Sequence, residues 1–192
     1  MTTQGRVSEA RSRLLGTATQ IFYSEGIHSV GIDRIVAEAK VTRATLYRHF
    51  AGKEDLVVAY LQLAHQADRA GIEAALAGTA VPADRIRAVA RSITAGITSD
   101  AFRGCAFLNA AAEYPEPNHP VHQAVTSHRQ WFAETVTTLF ANLSEAPPQP
   151  AARQFVMLRD GAMAAGCLGD PTEVCETFLH SIEGLLATTS TA

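Results

Sequence analysis

The chain is poor in the features that would mark several large protein classes. It has 192 residues but only three cysteines, Cys105, Cys167 and Cys175, an odd number without a CxxC spacing. That excludes a disulfide-dense secreted module and predicts reduced thiols. A redox pair remains open as an alternative, because Cys167 and Cys175 flank Gly169-Asp170-Pro171 and could approach each other. No apolar run reaches the roughly 18 residues of a membrane span. The opening MTTQGRVSEARSR lacks the apolar stretch of a signal peptide, so a cytoplasmic protein with no membrane partner is expected. Lysine is nearly absent, two residues against fourteen arginines, a bias that fits a GC-rich genome. There is no Gly-rich phosphate loop, no GxSxG and no HExxH, so nothing points to an enzyme or to a cofactor. β-Branched runs are scarce too.

Alanine is abundant instead, at 34 residues, which with 47% hydrophobic and 18% charged residues predicts a folded, all-α chain. The net charge of -3 argues against a generally basic, nucleic-acid-coating protein, but that total hides an asymmetry. Residues 1–53 carry eight basic and four acidic side chains, and residues 54–192 carry eight and fifteen. A head of net +4 on a body of net -7 is the pattern expected when one end meets a polyanion.

Periodicity and capping signals predict about nine helices. Leu14, Ala18, Ile21 and Phe22 mark the first, behind Ser8-Glu9 and ended by Gly26. Ile32, Ile35, Val36 and Ala39 mark a short second helix. Thr42 caps a third over Arg43–Phe50, and Lys53-Glu54-Asp55 opens a long fourth running to about Ala77. In the body, Pro82 opens a fifth, and a short sixth covers Cys105–Glu113. A long seventh runs from about Asn118 to Asn142. SEAPPQP (144–150) reads as a loop because prolines end helices. The last two helices are expected over 151–168 and 172–187, with the tail TTSTA frayed.

Two short helices joined by a tight turn, at about 31–50, have helix-turn-helix spacing. Leu46 and Phe50 would face the preceding helix, leaving Arg43, Thr45, Tyr47, Arg48 and His49 outward. Such a face can donate to phosphates and base edges in a major groove. Lys53 begins the next helix, where backbone N–H groups also favour an anion. Surface arginines on short helices are otherwise common in helical bundles.

The stretch GIHSVGIDRIVAEAK (26–40) followed by VTRATLYRHFAGKEDL resembles the DNA-binding domain of the tetracycline-repressor (TetR) family. The resemblance covers residues 8–68. It implies a transcriptional regulator whose recognition helix is Thr42–His49. Arg43, Ala44 and Arg48 would then face base edges, with Thr42, Thr45, Tyr47, His49 and Lys53 holding phosphates and Arg34 reaching backbone or base. The family places Gly in the turn where this chain has Lys40. A left-handed lysine there would cost about 1 kcal/mol, and the turn is expected to survive it.

A single recognition helix reads too few base pairs for a specific regulator, so a two-fold dimer on a palindromic operator is expected. Phe155, Ala162, Ala165, Val174, Phe178, Leu179, Ile182, Leu185 and Leu186 supply apolar surface on the last two helices, where the resemblance implies a four-helix dimer interface. The alternative is that they pack within one chain. Residues 69–188 would form the helical effector-binding and dimerisation domain.

Polar residues at core positions suggest a small-molecule pocket in the body. Asn109, Glu113, His128 and Asp160 would orient the effector among Phe102, Cys105, Phe107, Trp131, Phe132, Met157 and Met163. Three other readings stay open. A carboxylate can cap a neighbouring helix, a core histidine can be purely structural, and Glu113, His128 and Asp160 could ligate a metal, although no HxxxH or ExxH spacing supports this. The segment GCAFLNAAAEYPEPNHP also resembles the sensor region of one branch of the family. The expected mechanism is repression released by an effector that favours wrongly spaced reading heads. Corepression, activation, a helical His/carboxylate metalloenzyme and a non-specific DNA-coating protein are the competing readings.

Overall fold

A computed structural model describes residues 3–190, and the side chains of residues 9–189. Ser8's side chain and the final Thr191-Ala192 of the tail lie outside the described residues. Among them the chain is all-α, with nine helices and no strand: α1 (Thr3–Glu25), α2 (Ile32–Glu38), α3 (Arg43–His49), α4 (Lys53–Leu76), α5 (Pro82–Ile97), α6 (Ala106–Glu113), α7 (Pro120–Ala141), α8 (Pro148–Ala165) and α9 (Pro171–Ser190). No described helix is long and apolar enough to cross a membrane.

Local signals explain most boundaries. Gly26 takes φ +87° and its N–H bonds back to Phe22 O, a left-handed stop for α1. The Thr42 hydroxyl accepts from Thr45 N–H at the start of α3. Three expectations change. α1 runs through Ser8-Glu9 and begins at Thr3. α8 begins inside the expected proline loop, at Pro148, because a helix's first turn needs no N–H donor and proline's fixed φ suits it. α9 continues through Thr188 and Thr189, whose hydroxyls bond back to Leu185 O.

Two compact units form, and they are not two successive stretches of chain. Among the described residues the first comprises 3–65 with 106–126, and the second comprises 66–105 with 127–190. In the first, α1, α2 and α3 pack on one another, burying Leu14, Ala18, Phe22, Ile35, Leu46 and Phe50. α6 and the start of α7 belong to the same unit and contribute buried Phe107, Ala110, Tyr114 and Val121.

In the second unit α9 packs against both α5 and α8. Its core centres on Phe155, whose ring meets Phe178 edge-on at 6.0 Å and Phe140 at 6.3 Å. Gly166 permits a close approach, since a Cβ there would stand 2.7 Å from Ile97 Cγ2.

Candidate nucleic-acid interface and ligand site

The helix-turn-helix is built by the α2–α3 turn, and Lys40 is its one residue in left-handed conformation, at φ 53°. No other described non-glycine residue has positive φ. Lys40 N–H bonds to Ala37 O and Val41 N–H to Val36 O, so the turn closes on α2's last carbonyls. With Leu46 and Phe50 buried, α3 presents Arg43, Ala44, Tyr47 and Arg48 to solvent. Tyr47 is 54% exposed.

The flanking residues are held in place by pairs. Arg43 bonds Asp33 through Nε and Nη2. Arg34 bridges Glu25 and Glu38. These bonds raise the pKa of Arg34 and Arg43 and lower that of Glu25. Thr42 and Thr45 share a hydroxyl contact of 2.9 Å. His49 is half-buried and its Nε2 is buried without a hydrogen-bond partner. Lys53 is partly buried, which depresses its pKa against the opposing charge of Glu113.

Glu113 is the residue whose place spacing did not reveal. Its carboxylate accepts from the N–H groups of Ile27, at 2.8 Å, and His28, in the turn after α1. His28 Nδ1 lies 3.6 Å from the same carboxylate. Phe107 is buried in the same unit and Asn109 is exposed there.

The rest of the expected pocket set falls into two places in the second unit and one on its surface. Cys105, Phe132 and Asp160 contact Arg159, which no sequence signal marked, and Met163 lines a cleft with it. Arg159 is 6% exposed. Its Nη1 donates to Asp160 Oδ1 at 3.0 Å and to Cys105 Sγ at 3.3 Å. Its guanidinium carbon sits 5.3 Å from the Phe132 ring centroid. Burial opposes its charge, but Cys105 and Asp160 more than offset this and raise its pKa. Asp160 also accepts from Arg129 Nη2 at 2.7 Å.

A cleft of about 170 Å³ adjoins this cluster, lined by Arg159, Phe132, Met163, Ser92, Ile93 and Asp68 among others. Asp68 lies 3.6 Å from His128 Nε2. The Trp131 ring lies tilted against His128, with centroids 5.5 Å apart, and the Arg69 guanidinium carbon is 5.9 Å from the Trp131 ring centroid. Phe102 lines a separate surface cleft with Arg103 and Cys167.

Met157, expected as a pocket wall, is 74% exposed on α8. α8 has two faces, and Met157 lies opposite Phe155. It lines a groove of about 790 Å³ between α8 and α9, with Leu158, Ala162, Ala165, Val174 and Phe178. Phe155, Ile182 and Leu185, expected at a dimer interface, are buried in the single chain, because α9 spends that face on α5 and α8. No group of three His, Cys, Asp or Glu among the described residues is placed to hold a metal. All three cysteines are free. Cys175 is buried, which raises its pKa, and Cys167 is exposed.

An all-helical chain with a helix-turn-helix head and a separate helical unit is the architecture of a DNA-binding regulator. Residues 14–60 match the family model for bacterial regulatory proteins of the tetR family, and residues 82–182 match that for the tetracyclin repressor-like C-terminal domain. The crystal structure of SCO4454, a TetR-family transcriptional regulator from Streptomyces coelicolor, is 64% identical, with TM-score 0.93 over 95% of this chain and 97% of that one. The chain belongs to the TetR family of transcriptional regulators, a family of regulators rather than enzymes. Among curated relatives, the HTH-type transcriptional regulator YjdC of Escherichia coli K12 is 22% identical over 80% of this chain and 81% of its own length. The HTH-type transcriptional activator FasR of Mycolicibacterium smegmatis is 36% identical over 42% of this chain and 36% of its own.

Proposed function

We propose that the protein is a dimeric repressor that leaves a palindromic operator when a small molecule binds its second unit. The observation that carries the reading is the Glu113 carboxylate on the turn after α1. It ties α6 into the same compact unit as the reading helix. Cys105, which immediately precedes α6, touches Arg159 beside the cleft in the second unit. A ligand that reorganises Arg159 therefore acts on the residue just before α6, and α6 carries the Glu113 that holds the turn after α1. α4, with Lys53–His65 in one unit and Gln66–Leu76 in the other, is a second covalent route.

Base contacts fall to Arg43, Ala44 and Arg48, and phosphate contacts to Thr42, Thr45, Tyr47, His49 and Lys53, with Arg34 beside them. Dimerisation falls to the α8/α9 groove. Its exposed Met157 and neighbouring Leu158, Ala162 and Val174 form an apolar surface that a two-fold copy of itself would cover.

Selection of bound DNA from a random pool, with sedimentation of the free protein, tests this reading. The expected result is a palindrome bound by a dimer, and a monomeric Met157→Glu variant that loses operator affinity. A monomeric wild type, or equal affinity for random DNA, would remove it. FasR is described as an activator, so reporter expression with and without the protein decides the sign of regulation.

A further inference from the structure

We infer that the cleft beside Arg159 is a binding site for a small organic monocarboxylate, whose charge is taken up by Arg159. This rests on the reading of the second unit as the sensing unit and names the chemical class that it senses.

Arg129 and Arg159 both bond one carboxylate, Asp160, at 2.7 and 3.0 Å. Asp160 is therefore shared between two guanidinium groups. Arg159 is the more buried of the two, with a side chain 8% exposed against 39% for Arg129. A guanidinium taken out of water needs its donors matched. Yet Arg159 Nε is buried with no hydrogen-bond partner. Such an orphan donor in a native fold calls for an explanation, and here the same residue lines a cleft.

The cleft's other walls set the rest of the molecule. Phe132, Ile93, Ile72 and Met163 are apolar, and Ser92 adds one hydroxyl. Among the lining residues the only other formal charge is Asp68, which is 47% exposed and faces His128 rather than standing alone. The volume of about 170 Å³ is close to the ~150 Å³ void that accepts a benzene ring. Two helical glycines, Gly71 of α4 and Gly96 of α5, also line the cleft, and a Cβ at either would meet no atom within 4 Å. Glycine is disfavoured inside helices, so their presence keeps this space open at a cost to both helices. A buried guanidinium with an unmatched Nε–H favours a monoanion, and its planar fork matches a carboxylate. The ligand is a carboxylate on one ring or a short branched chain.

Calorimetric titration of the full-length, DNA-free protein with benzoate and with its neutral isostere benzamide tests the assignment. Saturable benzoate binding, at least tenfold tighter than benzamide, is expected. Arg159→Met should abolish that preference. Equal affinity for the two probes, no saturable binding of benzoate, phenylacetate or isovalerate, or a folded Arg159→Met variant that binds benzoate unchanged would each overturn the proposal. Should Arg159→Met fail to fold, Gly71→Trp covers the cleft without touching the ion cluster. It must lose benzoate binding, and retention overturns the site. Operator release is measured separately. Arg159-dependent carboxylate binding without DNA release keeps this site and removes the effector-release reading. Release by a neutral compound, unaffected by Arg159→Met, does the reverse.

Discussion

The carboxylate of Glu113 at the end of α6 accepts hydrogen bonds from the backbone of Ile27 and His28, tying together segments 86 and 85 residues apart. The turn after α1 leaves these N–H groups without helical partners, and one carboxylate satisfies both. Replacing Glu113 with Ala should cost about 1.5–3 kcal/mol, the range for hydrogen bonds to a charged group. For a chain of this length that is a fall of about 2–4 °C in Tm per kcal/mol. Thermal melts followed by circular dichroism measure it. An unchanged Tm would mean that the turn closes without Glu113.

Lys40 holds a left-handed backbone that glycine adopts without strain. Lys40→Gly should stabilise the protein by about 0.5–1 kcal/mol, part of the steric gain being lost to the freer unfolded chain. Denaturant midpoints check this, and a drop in stability would show that the lysine side chain has a compensating contact.

On DNA, two kinds of substitution should separate. Lys53→Ala should weaken binding to all sequences alike and reduce the slope of log affinity against log salt by about 0.9. Arg43→Ala should change which half-site is preferred, with about 1–3 kcal/mol lost per base contact. Binding isotherms at several salt concentrations, on cognate and base-substituted operators, distinguish the two. A salt slope that Lys53→Ala leaves untouched would take that residue off the phosphate backbone.

The Arg87–Glu183 pair joins α5 to α9, with Arg87 Nη2 2.7 Å from Glu183 Oε2. Arg87's hydrogen bond, helped by the charge of Arg91, holds the Glu183 pKa below its ordinary value of about 4.5. A depressed carboxylate pKa stabilises the fold above the unfolded value, and the contribution is lost as pH falls through the folded one. Because both side chains are well solvated, the effect is about 1 kcal/mol or less. Glu183→Gln should therefore melt slightly below wild type at pH 7, and the difference should shrink below about pH 4.5 and vanish once the pH is below the depressed folded value. Parallel melting curves at both pH values would refute the assignment.

Several features were legible from local chemistry. Thr42 followed by Arg43 and Leu46 marks the start and the buried side of the recognition helix, and Gly26 marks a helix stop. The family resemblance over residues 8–68 adds the roles. The pocket residues were harder. Asn109, Glu113, His128 and Asp160 were grouped because each interrupts an apolar pattern. A polar residue interrupts such a pattern equally well when it caps a turn, as Glu113 does, or is shared between two arginines, as Asp160 does. Arg159 gave no signal, because an arginine beside an aspartate on a helix ordinarily reads as solvated. Met157 and Phe155, two residues apart on α8, look equally apolar, yet one is exposed and the other is central to the core.

The division follows from the range of the interactions. Helix starts and stops, the helix-turn-helix and the charge split between head and body depend on neighbours within a turn or two, and these are written in residue order. The partner of Glu113, the burial of Arg159, the cleft beside it and the choice of which apolar face of α8 stays uncovered depend on contacts between distant segments. Those contacts exist only once the helices pack, when each desolvated polar group must find whatever partner the packing brings to it.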